Sequence, residues 1–261
     1  MSIPSVQSMA EVPVTAALTA VADVCGRLTA LAGAVTGRPE RPATVDERWL
    51  GSGPVVIVGG FGTTPFGLRT MRDWVERLGY RATVHTAGIG TGCGGRSVER
   101  LRAVIERADE GDGVRVVAHS RGAQFSRVAT VGGAPVRALV ALGAPFDMAR
   151  MSPSMIAAAT AIGAVGSLGL PGIATLDCMR GPCCAEFRDA LRAPVQVPFT
   201  SVYTRGDRVV PWRASLDHGA RNVEVGGGHL GLLERADALR AVAAGLAARS
   251  ASPAARLAPT G

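Results

Sequence analysis

Val114-Arg-Val-Val-Ala-His-Ser-Arg-Gly-Ala-Gln124 is the most informative run in this chain of 261 residues. Val114, Val116 and Val117 read as a short buried strand, and Gln124-Phe-Ser-Arg-Val-Ala-Thr130 carries the apolar spacing of a helix. Between them stands Ser120, with small residues at Ala118, Gly122 and Ala123. A strand that turns at once into a helix needs small neighbours two residues either side of the turn, so that the two elements can pass. A serine held there in a strained backbone is a candidate nucleophile. The plainer alternative is a βα turn whose serine only caps the helix. Partners elsewhere in the chain must decide between them.

Upstream, Pro54-Val-Val-Ile-Val-Gly-Gly-Phe-Gly-Thr-Thr64 is an apolar strand opening into a glycine-rich loop, with a helix expected over residues 65–78. The loop lacks the Gly-Lys-Ser/Thr ending of a phosphate-binding loop and is not a dinucleotide fingerprint. Glycines at 59, 60 and 62 let the backbone turn N–H groups toward a developing negative charge. The Phe61 N–H is therefore one candidate oxyanion donor, and the N–H of Arg121, which follows the serine, is the other. A strand near residues 81–86, a helix over 97–108 and a strand from Val136 complete an alternation of strands and helices. That alternation predicts a parallel sheet with right-handed crossovers.

Downstream, Pro198-Phe-Thr-Ser-Val-Tyr-Thr-Arg-Gly-Asp-Arg-Val-Val-Pro211 places Asp207 in the turn after a strand. Arg221-Asn-Val-Glu-Val225 is a last strand, and Gly226-Gly-Gly-His-Leu-Gly-Leu232 follows it with His229 in a glycine-rich loop. A final helix is expected over residues 230–248. Ser120, Asp207 and His229 thus each stand just beyond a strand, at the end where parallel sheets carry their sites. In these roles His229 is the general base for Ser120, and Asp207 fixes the imidazole tautomer. His119 is expected to point away from the site, and Asp147 is the backup acid.

Residues 151–176 contain 26 positions without a charge. Pro171, four glycines and several hydroxyl residues make this a poor membrane span, and its place between two strands suits an apolar cap over about residues 147–197. Residues 1–50 hold one accessory helix, about 15–35, and a linker; 51–249 form the main domain; 250–261 form a disordered tail.

The net charge of +7 arises without a single lysine, the arginines are dispersed, and aromatics make up only 4%, which argues against nucleic acid as a partner. No basic n-region precedes Arg27, so a secretory signal is not expected and the expected location is cytoplasmic. Five cysteines (Cys25, Cys93, Cys178, Cys183, Cys184) are an odd number for a disulfide scaffold. The group at 178–184 has no nearby histidine and no second pair at zinc spacing. Free thiols are expected, with a Cys178–Cys183 or Cys178–Cys184 bridge as the alternative, and no metal or cofactor.

Gly59-Gly-Phe-Gly62, Ala118-His-Ser-Arg-Gly122, Leu142-Gly-Ala-Pro-Phe146, Tyr203-Thr-Arg-Gly-Asp-Arg-Val-Val-Pro-Trp212 and Gly227-Gly-His-Leu-Gly231 together resemble bacterial α/β-hydrolases of the lipase/esterase type. The likeness is greatest to compact, lipase-like actinobacterial members and covers about residues 54–248. It implies an α/β-hydrolase fold with a mostly parallel sheet of about six strands, helices on both faces and a small lid. It also implies cleavage of a small-molecule carboxylic ester, with a hydrophobic acyl group, through an acyl-serine. Ala118 departs from the usual first glycine of the serine motif but is small enough for the same turn. The rival expectation is acyl transfer or cyclisation (a thioesterase-type enzyme of secondary metabolism) by the same residues. No integral membrane span is expected; peripheral contact with a surface is compatible with the lid.

Overall fold

A computed structural model describes residues 45–88 and 90–248. The accessory helix expected at 15–35 and the tail expected at 250–261 lie outside the described residues. Six strands form one sheet: β1 (Pro54–Val58), β2 (Arg81–His85), β3 (Val114–His119), β4 (Val136–Leu142), β5 (Phe199–Tyr203) and β6 (Arg221–Glu224). Their spatial order is β2-β1-β3-β4-β5-β6, and every pairing is parallel. The helices are α1 (Arg69–Arg77), α2 (Gly94–Ala108), α3 (Arg121–Val131), α4 (Pro153–Ser167), α5 (Leu176–Arg180), α6 (Ala185–Arg192) and α7 (Ala236–Ala247).

The apolar run of β1 is continuous because both faces of the sheet are covered. Side chains alternate across a strand, so Val55 and Ile57 pack with Met71, Trp74 and Val75 of α1 and Leu239, Val242 and Leu246 of α7. Val56 and Val58 face the other way, into Leu101 and Ile105 of α2, Phe125 and Ala129 of α3, and Leu191 of α6. The Trp74 indole N–H donates to the Leu239 carbonyl at 2.8 Å and ties α1 to α7. Core strands of this kind each bury several Val or Ile side chains, worth about 1.5–3 kcal/mol apiece relative to exposure.

The chain leaves β1 toward β2 on one side, then returns past β1 to β3 on the other. Loops after β1 and β3 therefore diverge at this point, which opens a crevice at the carboxyl ends of the strands. Between β4 and β5 the chain leaves the sheet and forms α4, α5 and α6. None of the helices among the described residues is long and apolar enough to cross a membrane.

Four helices start elsewhere than the apolar pattern predicts. α1 begins at Arg69, after a 3-10 turn, rather than at 65, and α3 begins at Arg121 rather than 124. α2 begins at Gly94 rather than 97, because the Cys93 carbonyl already accepts from the Ser97 N–H at 3.1 Å. The last helix is broken. Leu230–Leu233 is a short 3-10 turn, Arg235 is extended, and α7 starts only at Ala236. The cause is tertiary: Asp237 accepts the Gly226 N–H at 2.8 Å and pairs with Arg235, pinning this segment to the loop after β6.

Candidate active site

The sharp turn expected at Ser120 is present. Ser120 has φ 53°, the one positive φ of a non-glycine residue among the described residues. Such a backbone costs on the order of 1–3 kcal/mol and persists only where its surroundings enforce it. Here the Ser120 N–H extends the β3–β4 ladder by donating to the Leu142 carbonyl at 2.8 Å, while its own carbonyl receives the Ala123 N–H at 3.0 Å. The residue is thus the last of a strand and the first of a helix at once. Close approach explains the small neighbours: a Cβ on Gly122 would lie 2.5 Å from the Gly59 carbonyl oxygen, so α3 starts against the loop after β1.

That loop reaches the serine itself. A Cβ on Gly60 would stand 2.8 Å from the Ser120 Cβ and 3.4 Å from the Arg121 nitrogen. Phe61 follows Gly60, and Arg121 is the first residue of α3. The N–H groups of a helix's first turn have no acceptor within the helix. The structure therefore brings the backbones of the two predicted donor segments together beside Ser120.

Asp207 and His229 meet directly. His229 Nδ1 lies 2.7 Å from Asp207 Oδ2, and the two side chains are only 5% and 2% exposed. A carboxylate only accepts, so Nδ1 carries the proton and donates it, which leaves Nε2 with a free lone pair. The other oxygen, Asp207 Oδ1, accepts from the N–H groups of Val209 and Val210, each at 2.8 Å. The carboxylate is thereby fixed by its own turn, in the manner of an Asx turn. The loops after β5 and β6 are joined as well, because the Thr204 hydroxyl donates to the Gly227 carbonyl at 2.8 Å.

The backup acid expected at Asp147 is engaged elsewhere: it accepts from the Ala149 N–H at 3.0 Å and pairs with Arg150 at 2.7 Å. Two contributors to the site were not expected. His119, read as pointing away, packs its ring 4.5 Å from that of His229, with Nε2 3.0 Å from the His229 carbonyl oxygen. Burial, aided by the neighbouring His229 ring, holds His119 down at about 3 against the opposing pull of its bond to the His229 carbonyl, so it is neutral and donates from Nε2. It joins the histidine loop to the residue before Ser120. Gly143 is the other. It has φ 55°, and a Cβ there would sit 3.1 Å from His229 Nδ1 and 3.2 Å from Asp207 Oδ2. The bare backbone after β4 is thus the floor under the Asp–His pair.

No protein-family model matches the sequence, and no curated relative matches it. Solved structures do. Est1E from Butyrivibrio proteoclasticus superposes with a TM-score of 0.53 at 16% identity, over 75% of this chain and 86% of its own. A serine hydrolase involved in carbazole degradation, CarC, gives 0.52 at 18%, over 76% and 92%. DcsB, solved with a substrate analogue, gives 0.51 at 15%, over 74% and 88%. The fold is that of the α/β-hydrolases. In this chain Gly60 and Ser120 meet at the crevice between β1 and β3, and the loops bearing Asp207 and His229 approach it over Gly143 and the His119 ring.

The cysteines differ from the sequence pattern in one respect. Cys93, 85 residues before Cys178, lies with Cys178, Cys183 and Cys184, all four sulfur atoms falling within 4.8 Å of one another. None of the four is joined in a disulfide. The pattern at 178–184 alone offered no second pair; the fold supplies the fourth sulfur from the start of α2.

Proposed function

We propose that this chain is a serine hydrolase of carboxylic esters in which Ser120 is the nucleophile, His229 the general base and Asp207 the residue that orients the base. The observation that carries the reading is the buried 2.7 Å contact between His229 Nδ1 and Asp207 Oδ2, joined to the ring of His119, the residue before a serine strained at φ 53°. A carboxylate so placed selects the tautomer that a base needs and stabilises the imidazolium formed when it takes a proton.

The steps follow from these roles. His229 Nε2 takes the hydroxyl proton of Ser120 as the oxygen attacks the ester carbonyl. The Phe61 and Arg121 N–H groups receive the oxyanion, each contributing about 3 kcal/mol to lowering the barrier. Collapse expels the alcohol, which takes its proton from His229, and leaves an acyl-serine. Water then gives a proton to His229 and attacks the acyl carbon, releasing the acid and restoring the serine.

The segment 147–197 serves as a cap over a hydrophobic acyl group. Large apolar side chains are exposed at Met148, Leu168, Leu170 and Leu176 in this segment, and at Phe66 beyond the β1 loop. Such side chains gain by contact with an apolar substrate or an aggregated lipid.

A fluorophosphonate probe tests the proposal, applied to the wild type, Ser120→Ala and His229→Ala beside p-nitrophenyl esters of increasing chain length. Labelling confined to proteins with Ser120, and turnover that grows with chain length, is the expected result. Labelling without hydrolysis would replace hydrolysis by acyl transfer, and an unlabelled, folded wild type would overturn the assignment of Ser120.

A further inference from the structure

We infer that the chain holds one soft divalent metal ion, zinc by its ligand chemistry, between Cys93, Cys178, Cys183 and Cys184, and that the ion fastens the segment 147–197 to the sheet core. Three sulfur separations are 3.5 Å for Cys93–Cys184, 3.8 Å for Cys93–Cys183 and 3.5 Å for Cys178–Cys183. Four thiolates about 2.3 Å from a central zinc stand at the corners of a tetrahedron whose edges are about 3.8 Å. These three of the six edges, at 3.5 to 3.8 Å, lie close to that figure. They are far longer than a disulfide bond of about 2.05 Å. All four sulfurs lie within 4.8 Å of each other, which suits a single ion better than an iron–sulfur cluster, where thiolates bind different irons.

The surroundings of the sulfurs are those of thiolates. Cys93 is the N-cap of α2, a helix of 15 residues, and the positive end of that helix faces the group. The Arg96 N–H donates to the Cys93 sulfur and the Gly95 N–H to the Cys184 sulfur. The Thr175 hydroxyl donates to the Cys178 sulfur at 3.5 Å. N–H and O–H donors aimed at metal-bound sulfur fix its orientation and offset its charge. Arg188 of α6 clamps the loop between the ligands, donating to the carbonyls of Gly181 at 2.7 Å and Cys178 at 3.3 Å.

The charge also balances. One divalent ion displaces four thiol protons, and the resulting tetrathiolate carries two negative charges. Arg121 lies within electrostatic reach of Cys93, Cys178 and Cys184, and its Nε is buried without a hydrogen-bond partner among the described residues. The guanidinium's hydrogen bond from Nη2 to the Gly92 carbonyl is a long one, 3.4 Å. The anionic metal site is the counter-charge this guanidinium lacks. With four protein ligands the ion has no open position, so it is a structural site and takes no part in hydrolysis.

Its consequence is mechanical. Cys93 stands at the start of a core helix, whereas the other three ligands belong to α5 and the turn before α6. A bond network across this boundary joins the proposed cap to the layer that also carries Arg121, the neighbour of Ser120.

The test uses the full chain, purified from zinc-supplemented cells without chelator. One zinc per chain is expected, together with the intense charge-transfer and tetrahedral d–d bands of a cobalt tetrathiolate after exchange with cobalt(II). Cys183→Ser alters the most exposed ligand and should retain less than one-tenth of the metal while remaining folded by circular dichroism. Denaturation with a chelator but no reductant should then expose all five cysteine thiols of the wild type. A metal-free folded protein with one reactive thiol would overturn the inference in favour of two disulfides, Cys93–Cys184 and Cys178–Cys183. A metal-free folded protein with five would leave only free thiols, and undiminished zinc in Cys183→Ser would overturn this ligand set. None of these readouts depends on esterase activity.

Discussion

Replacing Asp207 by asparagine should abolish most of the turnover while leaving the fold in place, and the structure dictates the reason. Asp207 Oδ1 accepts two backbone N–H groups, from Val209 and Val210, each at 2.8 Å. An asparagine at this position must keep its oxygen there, because the flipped amide would set its NH2 against both donors. Its NH2 is then directed at His229 Nδ1, where the carboxylate oxygen stood at 2.7 Å. Nδ1 must become the acceptor, the proton moves to Nε2, and the imidazole loses the lone pair that would receive the serine proton. A base held in the wrong tautomer loses about 10⁴ in kcat, or about 5.5 kcal/mol. Stability should fall by only about 1–2 kcal/mol, since each hydrogen bond is exchanged for a neutral one rather than lost. Steady-state hydrolysis of a p-nitrophenyl ester, with urea unfolding of the same preparations, measures both quantities. A kcat within tenfold of the wild type in a normally folded Asp207→Asn protein would refute the tautomer argument.

Ser120→Gly should be inactive yet more stable than Ser120→Ala by about 1–3 kcal/mol, because glycine relieves the strain at φ 53°; paired thermal melts check this. Gly143→Ala introduces a Cβ 2.8 Å from Leu232 and 3.1 Å from His229 Nδ1 at φ 55°, so kcat should fall at least tenfold, with a loss of about 1–3 kcal/mol seen in urea unfolding. His119 gives the molecule an acid limb. Its folded value of about 3 lies below the ordinary 6.5, so the unfolded chain takes up the proton first, and stability is lost as pH falls through this window. The slope reaches about 1.4 kcal/mol per pH unit. His119→Gln keeps a donor for the His229 carbonyl but does not titrate, and unfolding at pH 7, 6 and 5 should show a shallower decline than the wild type; parallel curves would refute the assignment.

Most of the sheet was legible in local patterns. Val55–Val58 of β1 and Val116–Val117 of β3 are continuous apolar runs, because strands covered on both faces have no polar side to show. β2 and β6 end within one residue of expectation. The break before α7 was not legible. The apolar register runs on through residues 230–248, and only the distant Gly226 N–H on Asp237 interrupts it. Gly143 went unremarked and His119 was expected to point away for a similar reason: their roles depend on what packs against them, and their own flanking residues look like ordinary strand ends.

By itself the sequence determined the alternating strands and helices, the constricted turn at Ser120, the glycine loop after β1, and the order serine, aspartate, histidine beyond successive strands. These rest on backbone sterics and on side-chain period, which act over a few residues. The tertiary structure alone decided that Asp207 rather than Asp147 meets His229, that His119 packs on its ring, and that Cys93 joins three cysteines more than eighty residues away. Those contacts are made across the carboxyl edge of the sheet, where separation along the chain says nothing about separation in space. Strand order and crossover direction set them, and only a folded sheet has either.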